Sequence, residues 1–330
     1  MTKTYQLVGI GNAVVDVISQ CDDSFLDMMG IEKGIMQLIE RERGEVLYAA
    51  MKERVQTPGG SVANTIAGAG ALGLDAAFIG RVHDDALGRF YAKAMQEDGV
   101  DFVNAPVAGG ELPTSRSMIF VSPDGERSMN TYLGISSELS SEDVPNSTAS
   151  VAQIMFLEGY LFDKDKGKSA FMEAARDCRA GGGKPGIAIS DPFCVERHRA
   201  DFLKLIENDL EFVIGNQDEI KSLWQTDDLE EALAKTAAIC PLVICTRSGD
   251  GVTVLSSEGR VDVPVTKVVP VDATGAGDQF AAGFLFGMAT GRDMETCAKI
   301  GNACAAEVIS HIGPRPKANM RALLKAQGLL

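Results

Sequence analysis

Basic clusters, long apolar runs and paired cysteines are all missing from this sequence, and each absence excludes a class of function. Acidic residues outnumber basic ones, 46 to 31, for a net charge of −15. A nucleic-acid binder would carry a basic patch, so polyanions and anionic membranes are disfavoured as partners. A small phosphorylated ligand is not excluded, because backbone amides and one Arg can bind it locally. No apolar run approaches the roughly 18 residues of a membrane span. The opening MTKTYQLVGIGNAVVDVI shows no signal-peptide cleavage pattern and reads as a strand, which points to a cytoplasmic protein. The seven cysteines (21, 178, 194, 240, 245, 297, 304) contain no CxxC, and the three histidines (83, 198, 311) have no zinc spacing. Reduced, buried thiols are expected. No GxxxxGK[ST] occurs, which removes the P-loop kinases.

Glycine is what the chain has in excess: 35 of 330 residues, above the usual ~7%. Apolar residues at 45% rule out wholesale disorder. The length exceeds the roughly 250–300 residues at which one core stops growing, so a large domain with an appended smaller piece, or two domains, is expected. Short apolar runs at 5–11, 76–82, 153–157, 186–190, 211–215, 242–246 and 251–255 read as strands. Helical patterns fall at 61–73, 84–98, 165–180, 197–207, 217–224 and 229–239, and long helices at 276–290, 294–310 and 317–327. This alternation predicts an α/β fold with a largely parallel sheet. Two stretches break it. Residues 12–39 and 113–133 hold β-like runs (Ala13–Ser19, Ser117–Ser122, Arg127–Tyr132) and a Pro123-Asp124-Gly125 turn, which predicts a small separate sheet, either a lid or a surface hairpin.

The sharpest motif runs Val271-Asp272-Ala273-Thr274-Gly275-Ala276-Gly277-Asp278 and enters a helix. Free backbone N–H groups at a helix start make an anion site, and glycines let a phosphate approach closely. Asp278 falls in the first turn, where the helix dipole favours its ionised form. A carboxylate beside an anion hole can deprotonate an alcohol while a phosphoryl group transfers to it. A glycine-rich turn with a dipole-stabilising Asp is the plainer reading. A second motif, Pro58-Gly59-Gly60-Ser61-Val62-Ala63-Asn64-Thr65, opens another small-residue helix and places an amide where it can bind hydroxyls. Capping by Ser61 would also explain it. Gly68-Ala69-Gly70-Ala71-Leu72-Gly73 fits GxGxxG but sits inside a helical pattern, so it argues little for a dinucleotide site. Asn146-Ser147-Thr148 is a glycosylation sequon without meaning in the cytoplasm.

GGxxxN near the start and DxTGAGD near the end resemble the two signatures of the PfkB/ribokinase carbohydrate and nucleoside kinases. The resemblance implies a ribokinase-like three-layer α/β/α domain over 1–330, with a small β-sheet lid from roughly 12–39 and 106–135. It implies ATP-dependent phosphorylation of a sugar or nucleoside hydroxyl, with Asp278 as base and Gly275, Ala276 and Gly277 as anion hole. Family members commonly carry Thr where this chain has Ala273. Asn216 and Glu219, in Asn216-Gln217-Asp218-Glu219 after a strand, are similar to the family motif that organises Mg²⁺; a helix capping box has the same spacing. Asp16, read as ending the first strand, matches a sugar-binding Asp, and Asn12, Gly59, Gly60 and Asn64 join it on the acceptor side. Arg127 resembles an adenosine-kinase Arg that reaches the transferred phosphate. Thr246, Gly249 and Gly251 resemble the nucleotide-side loop, and Asn302 an Asn near the adenine. The family's response to K⁺ would place that ion at loops 272–274 and 309–315. A monomer and a homodimer both remain open. The stretch Gly9–Asp16 with Phe25-Leu26, together with Pro113-Thr114, Arg127-Ser128 and Ile312–Pro316, is most similar to bacterial adenosine kinases, which implies adenosine as acceptor in purine salvage. An apolar slot for the base is expected among Val14, Met36, Tyr132 and Tyr160. Glu158 pulls toward a free sugar such as ribose or fructose, because ribokinases contact sugar with a Glu after the corresponding strand. A nucleotide-binding protein on an inactive kinase scaffold is the alternative of another class, and retention of Asp278, Asn216 and Glu219 argues against it.

Overall fold

A computed structural model describes residues 5–330. Nine strands form the main sheet, in the spatial order Gly259–Val263, Val252–Ser256, Leu242–Thr246, Phe212–Asn216, Lys184–Ala188, Ala152–Glu158, Tyr5–Ile10, Ala76–Ile79 and Val100–Phe102. All neighbours are parallel except the last two strands at the C-terminal edge, which form an antiparallel hairpin and its extension. Alternation along the strands explains the layers, since successive side chains point to opposite faces. In Ala152–Glu158, Ile154 and Phe156 enter one core, and Met155 and Leu157 enter the other. The first core packs the helices Ser61–Ala71, Ala276–Ala289 and Met294–Val308 on the sheet. The second packs Asp165–Ala180, Pro192–Asp209, Gln217–Trp224 and Leu229–Ile239 on the opposite face. Phe156 and Phe212 stack across adjacent strands at 6.1 Å. Each ring fully buried in this way contributes roughly 2–3 kcal/mol of transfer free energy.

The predicted α/β/α layering and all seven strand runs are present. Two edge strands of the main sheet escaped the sequence reading. Val100–Phe102 is only three residues long, and Gly259–Val263 alternates Arg260, Val261, Asp262 and Val263 with a charge at every second position. The helix predicted over 197–207 begins at Pro192, capped by Asp191, and kinks at His198. The GxGxxG glycines have a packing cause. A side chain at Gly68 would lie 2.2 Å from the buried Gln279 Oε1, and one at Gly70 would lie 2.6 Å from Asp98 O.

A second sheet of five strands, in the order Met36–Leu38, Arg127–Tyr132, Ser115–Val121, Val14–Gln20 and Val55–Gly59, forms the lid. Val55–Gly59 was not part of the predicted lid segments. Its register with Val14–Gln20 sets Gly59 opposite Val14 and Thr57 opposite Asp16. The helices Asp23–Met29 and Arg41–Ala50 lie within the lid half of the chain and were also missed. Asp16 requires a correction. The first main-sheet strand ends at Ile10, and Asp16 sits in the middle of the first lid strand. The chain therefore passes from main sheet to lid across Gly11-Asn12-Ala13, and the carboxylate belongs to the lid.

Candidate active site

Gly275 caps the 14-residue helix Ala276–Ala289 in the left-handed region, at φ +79°. Only glycine takes that conformation without strain, and a Cβ there would lie 2.6 Å from the Pro314 backbone. The Ala276 N–H closes the turn by donating to Ala273 O at 3.2 Å. Of the amides assigned to the anion hole, this one is therefore used within the loop. The N–H groups of Gly277 and Asp278 lie in the first turn, where a helix offers no internal acceptor, and no side chain packs over Gly277.

Asp278 is held by two donors from the other small-residue helix. Ser61 Oγ donates to Oδ1 at 2.8 Å, and Asn64 Nδ2 donates to Oδ2 at 3.2 Å. Burial pushes the Asp278 carboxyl up to about 6, while Ser61, Asn64 and the Arg315 guanidinium pull the other way. Ser61 does not cap its own helix; its hydroxyl serves Asp278 instead. Arg315 donates from Nε to Asn64 Oδ1 at 3.2 Å and pairs with Asp98. Neither role was legible, because both depend on contacts across more than 200 residues of chain.

The residues expected on the acceptor side meet where the first lid strand approaches Gly59 and Gly60. Asp16 is buried, and a Cβ at Gly59 would come within 2.5 Å of its carboxylate, so the absence of a side chain there lets the two lid strands close. Burial lifts Asp16 to about 7; Arg127 and Arg315 oppose this, and Asp278 reinforces it. Gly60 turns at φ +97° against Asn12 O. The Asn12 side chain is engaged: its Nδ2 donates to Glu158 Oε1 at 2.8 Å, and its N–H donates to the same oxygen at 3.2 Å. Glu158 Oε2 accepts from Val62 N at 3.2 Å. Glu158 is 1% exposed, and burial lifts it to about 7. Its carboxylate thus joins the end of the central strand to the lid entrance and to the Ser61 helix.

Arg127 leaves the lid and reaches the glycine-rich loop. Nη1 donates to Thr274 Oγ1 at 2.8 Å, and Nη2 lies 2.9 Å from Asp272 Oδ2. Both partners of this ion pair are nearly enclosed, at 11% and 8% side-chain exposure. Burial opposes ionisation of Asp272, but the N–H groups of Gly313 and Thr274, the Thr274 hydroxyl and the Arg127 charge hold its carboxyl below the usual range.

Beside Asp278 opens a cavity of about 660 Å³. Asn216, Glu219, Thr246, Gly249, Gly251 and Asn302 line it, together with Ala276, Gly277 and Asp278. Its apolar wall comes from Val265, Val268, Pro270 and Ile309, and Val14, Met36, Tyr132 and Tyr160 are not among the residues that line it. Asn216 and Glu219 form a full capping box. Asn216 Oδ1 accepts from Glu219 N at 2.9 Å, and Glu219 Oε2 accepts from Asn216 N at 2.8 Å. Burial raises Glu219 to about 8. The Thr246–Gly251 turn joins two antiparallel strands, and Asn302 Nδ2 donates to Pro264 O at 3.3 Å. Among the described residues no group of three or more His, Cys, Asp or Glu could hold a metal ion, and no helix is long and apolar enough to cross a membrane.

A carboxylate at a glycine-rich helix start, a neighbouring cavity and an overhanging lid sheet define a phosphotransferase acting on small-molecule hydroxyls. The signature of the pfkB family of carbohydrate kinases matches residues 29–320, and the chain belongs to that family. It is similar to the crystal structure of a probable sugar kinase from Rhizobium etli, at 42% identity and TM-score 0.93, with 100% of both chains covered. It is equally similar to an adenosine kinase from Sinorhizobium meliloti, at 44% identity and TM-score 0.92, covering 98% of this chain and 99% of that one. A fructokinase from Klebsiella pneumoniae is 31% identical over 71% of this chain and 78% of its own.

Proposed function

We propose that this chain is a single kinase domain with a closing lid, and that it transfers the γ-phosphoryl group of ATP to adenosine, giving AMP and ADP in purine salvage in the cytoplasm. The observation that carries the reading is Asp278. Its carboxylate is the charged group of the helix start, and donors from Ser61 and Asn64 hold it in one orientation. The acceptor hydroxyl gives its proton to Asp278, and its oxygen bonds to the γ-phosphorus as the bond to the ADP oxygen breaks. The amides of the Gly275–Gly277 loop, foremost Gly277, stabilise charge on the transferred group. Arg127 adds a cation from the lid once it exchanges Asp272 for phosphate. Asp16 and Asn64 bind ribose hydroxyls beneath the lid, which excludes water that would otherwise consume ATP. Gly59 and Gly60 let the ribose lie against the backbone, and Asn12 shapes that wall through Glu158. The cavity wall at Thr246, Gly249, Gly251 and Asn302 takes the nucleotide.

Mg²⁺ suits this site through a small donor set. It binds through one or two carboxylates, retained waters and substrate phosphates rather than a protein cage. Glu219, on the cavity wall, accepts from Asn216 N at Oε2 and from Asn216 Nδ2 at Oε1, which fixes its position; the remaining lone pairs of its carboxylate would take a hydrogen bond from the water around Mg²⁺.

Two observations favour adenosine over a free sugar. Identity to the Sinorhizobium adenosine kinase is 44%, against 42% to the Rhizobium probable sugar kinase, and Glu158, the residue that would argue for sugar, has both oxygens engaged by Asn12 and Val62. Similarity to the Rhizobium probable sugar kinase favours the second reading, a sugar kinase. The test is kcat/KM for adenosine, ribose and fructose at saturating ATP. Adenosine is expected to lead by orders of magnitude. A free sugar as the better acceptor would remove the adenosine assignment and leave the kinase in place.

A further inference from the structure

Arg315 lies outside both motifs and next to the Asp278 network. The loop that carries it is fixed from two sides. Gln279 Nε2, fully buried, donates both to Pro314 O at 3.1 Å and to Asn64 O at 3.0 Å, and Gly313 N donates to Asp272 Oδ2 at 2.9 Å. The guanidinium then makes three contacts, to Asn64 Oδ1 at 3.2 Å, to the Asp98 carboxylate and to Met95 Sδ at 3.4 Å. Its side chain is 14% exposed.

A guanidinium only donates, whereas a carboxamide has one accepting and one donating end. Arg315 therefore fixes which end of Asn64 faces which partner: the oxygen toward Arg315, the NH₂ toward Asp278 Oδ2. In the flipped amide, donors would oppose the guanidinium and an acceptor would oppose the carboxylate, and both bonds would be lost. We infer that Arg315 is a positioning residue of the kinase, which locks the Asn64 amide so that one N–H holds Asp278 while the other is presented to the acceptor hydroxyl. The fork is needed because one cation must hold Asp98 and Asn64 together; a Lys ammonium lacks that geometry. The inference deepens the proposed function and rests on Asp278 being the base.

A double-mutant cycle tests it. Arg315→Met is expected to lower kcat/KM for adenosine by about 10–100-fold, the effect of losing a charge-assisted hydrogen bond, through both a raised KM and a lowered kcat. In an Asn64→Ala background the same change should cost at most a few-fold, because there is no amide left to orient. Arg315→Lys should recover only part of the loss. If Arg315→Met does not fold, as judged by its melting temperature, Arg315→Lys carries the same cycle. Equal costs with and without Asn64, or Arg315 variants with wild-type kinetics, would overturn the inference. Full activity in Asp278→Asn would instead remove the base itself, so the two failures are distinguishable.

Discussion

Replacing Ser61 with Ala isolates one of the groups that keep Asp278 ionised. Ser61 Oγ donates to Asp278 Oδ1 at 2.8 Å, and the carboxyl is raised by burial to about 6. With Asp278 as base, kcat/KM for the acceptor must climb with pH through that value. The enzyme would run at about one-tenth of its plateau at pH 5 and about nine-tenths at pH 7. The Ser61 hydrogen bond favours the ionised form, so its loss moves the acid limb upward. A hydrogen bond of ~1 kcal/mol corresponds to about 0.7 pH units. At pH 6 the variant should therefore run at roughly one-sixth of its own plateau, where the wild type runs at about half. The assay is direct chromatography of AMP and ADP from pH 5 to 8, without pH-sensitive coupling enzymes. A lowered plateau with an unmoved limb would refute the reasoning and assign the limb to Asp16 or Glu158, both of which burial lifts to about 7.

On the proposed role, in which the guanidinium meets the phosphoryl group only in the closed state, Arg127→Ala should lower kcat more than it raises the acceptor KM; steady-state kinetics separates the two, and a pure KM effect places Arg127 on the acceptor. Glu219→Gln should raise the Mg²⁺ concentration for half-maximal rate; a stability loss of about 1 kcal/mol with an unchanged Mg²⁺ titration would leave the pair as a capping box alone. Glu158 has its folded-state value raised, so its contribution is complete below its unfolded value near 4.5 and is lost as pH rises through about 7. The nucleotide-free wild type should lose on the order of 3 kcal/mol from this group between pH 5 and 8, and Glu158→Gln should flatten the slope of stability against pH, as read by urea melts; parallel slopes would contradict it.

Each motif was legible where it is local. Gly275 directly caps the helix Ala276–Ala289 and Gly277 lies in its first turn, and the strand runs announce themselves through short apolar stretches such as the four residues Ile154–Leu157. The capping box at Asn216 and Glu219 was equally visible, since its spacing of three is set by the helix itself. What stayed hidden depends on tertiary approach. Asp16 read as the end of a main-sheet strand because nothing in Gly11-Asn12-Ala13 marks the change of sheet. Val55–Gly59 became a lid strand through its pairing with Val14–Ile18, at the sheet edge, where a Pro is tolerated. Ser61 is a good capping residue by type, and only the fold brings Asp278 close enough to claim its hydroxyl. Arg315, 251 residues from Asn64 in sequence, stood within the noted Ile312–Pro316 stretch, but nothing local announces its contact with Asn64.

Product formation by wild-type protein and by Asp278→Asn, measured side by side with adenosine and γ-labelled ATP, bears most directly on the proposed chemistry. The change is nearly isosteric, so melting temperature and nucleotide binding should stay close to the wild type. Labelled AMP should accumulate with the wild type, and kcat in the variant should fall by at least about two orders of magnitude, the lower end of general-base effects. Turnover within tenfold of the wild type would contradict Asp278 as the base, and label released only as inorganic phosphate by the wild type would contradict phosphoryl transfer to adenosine.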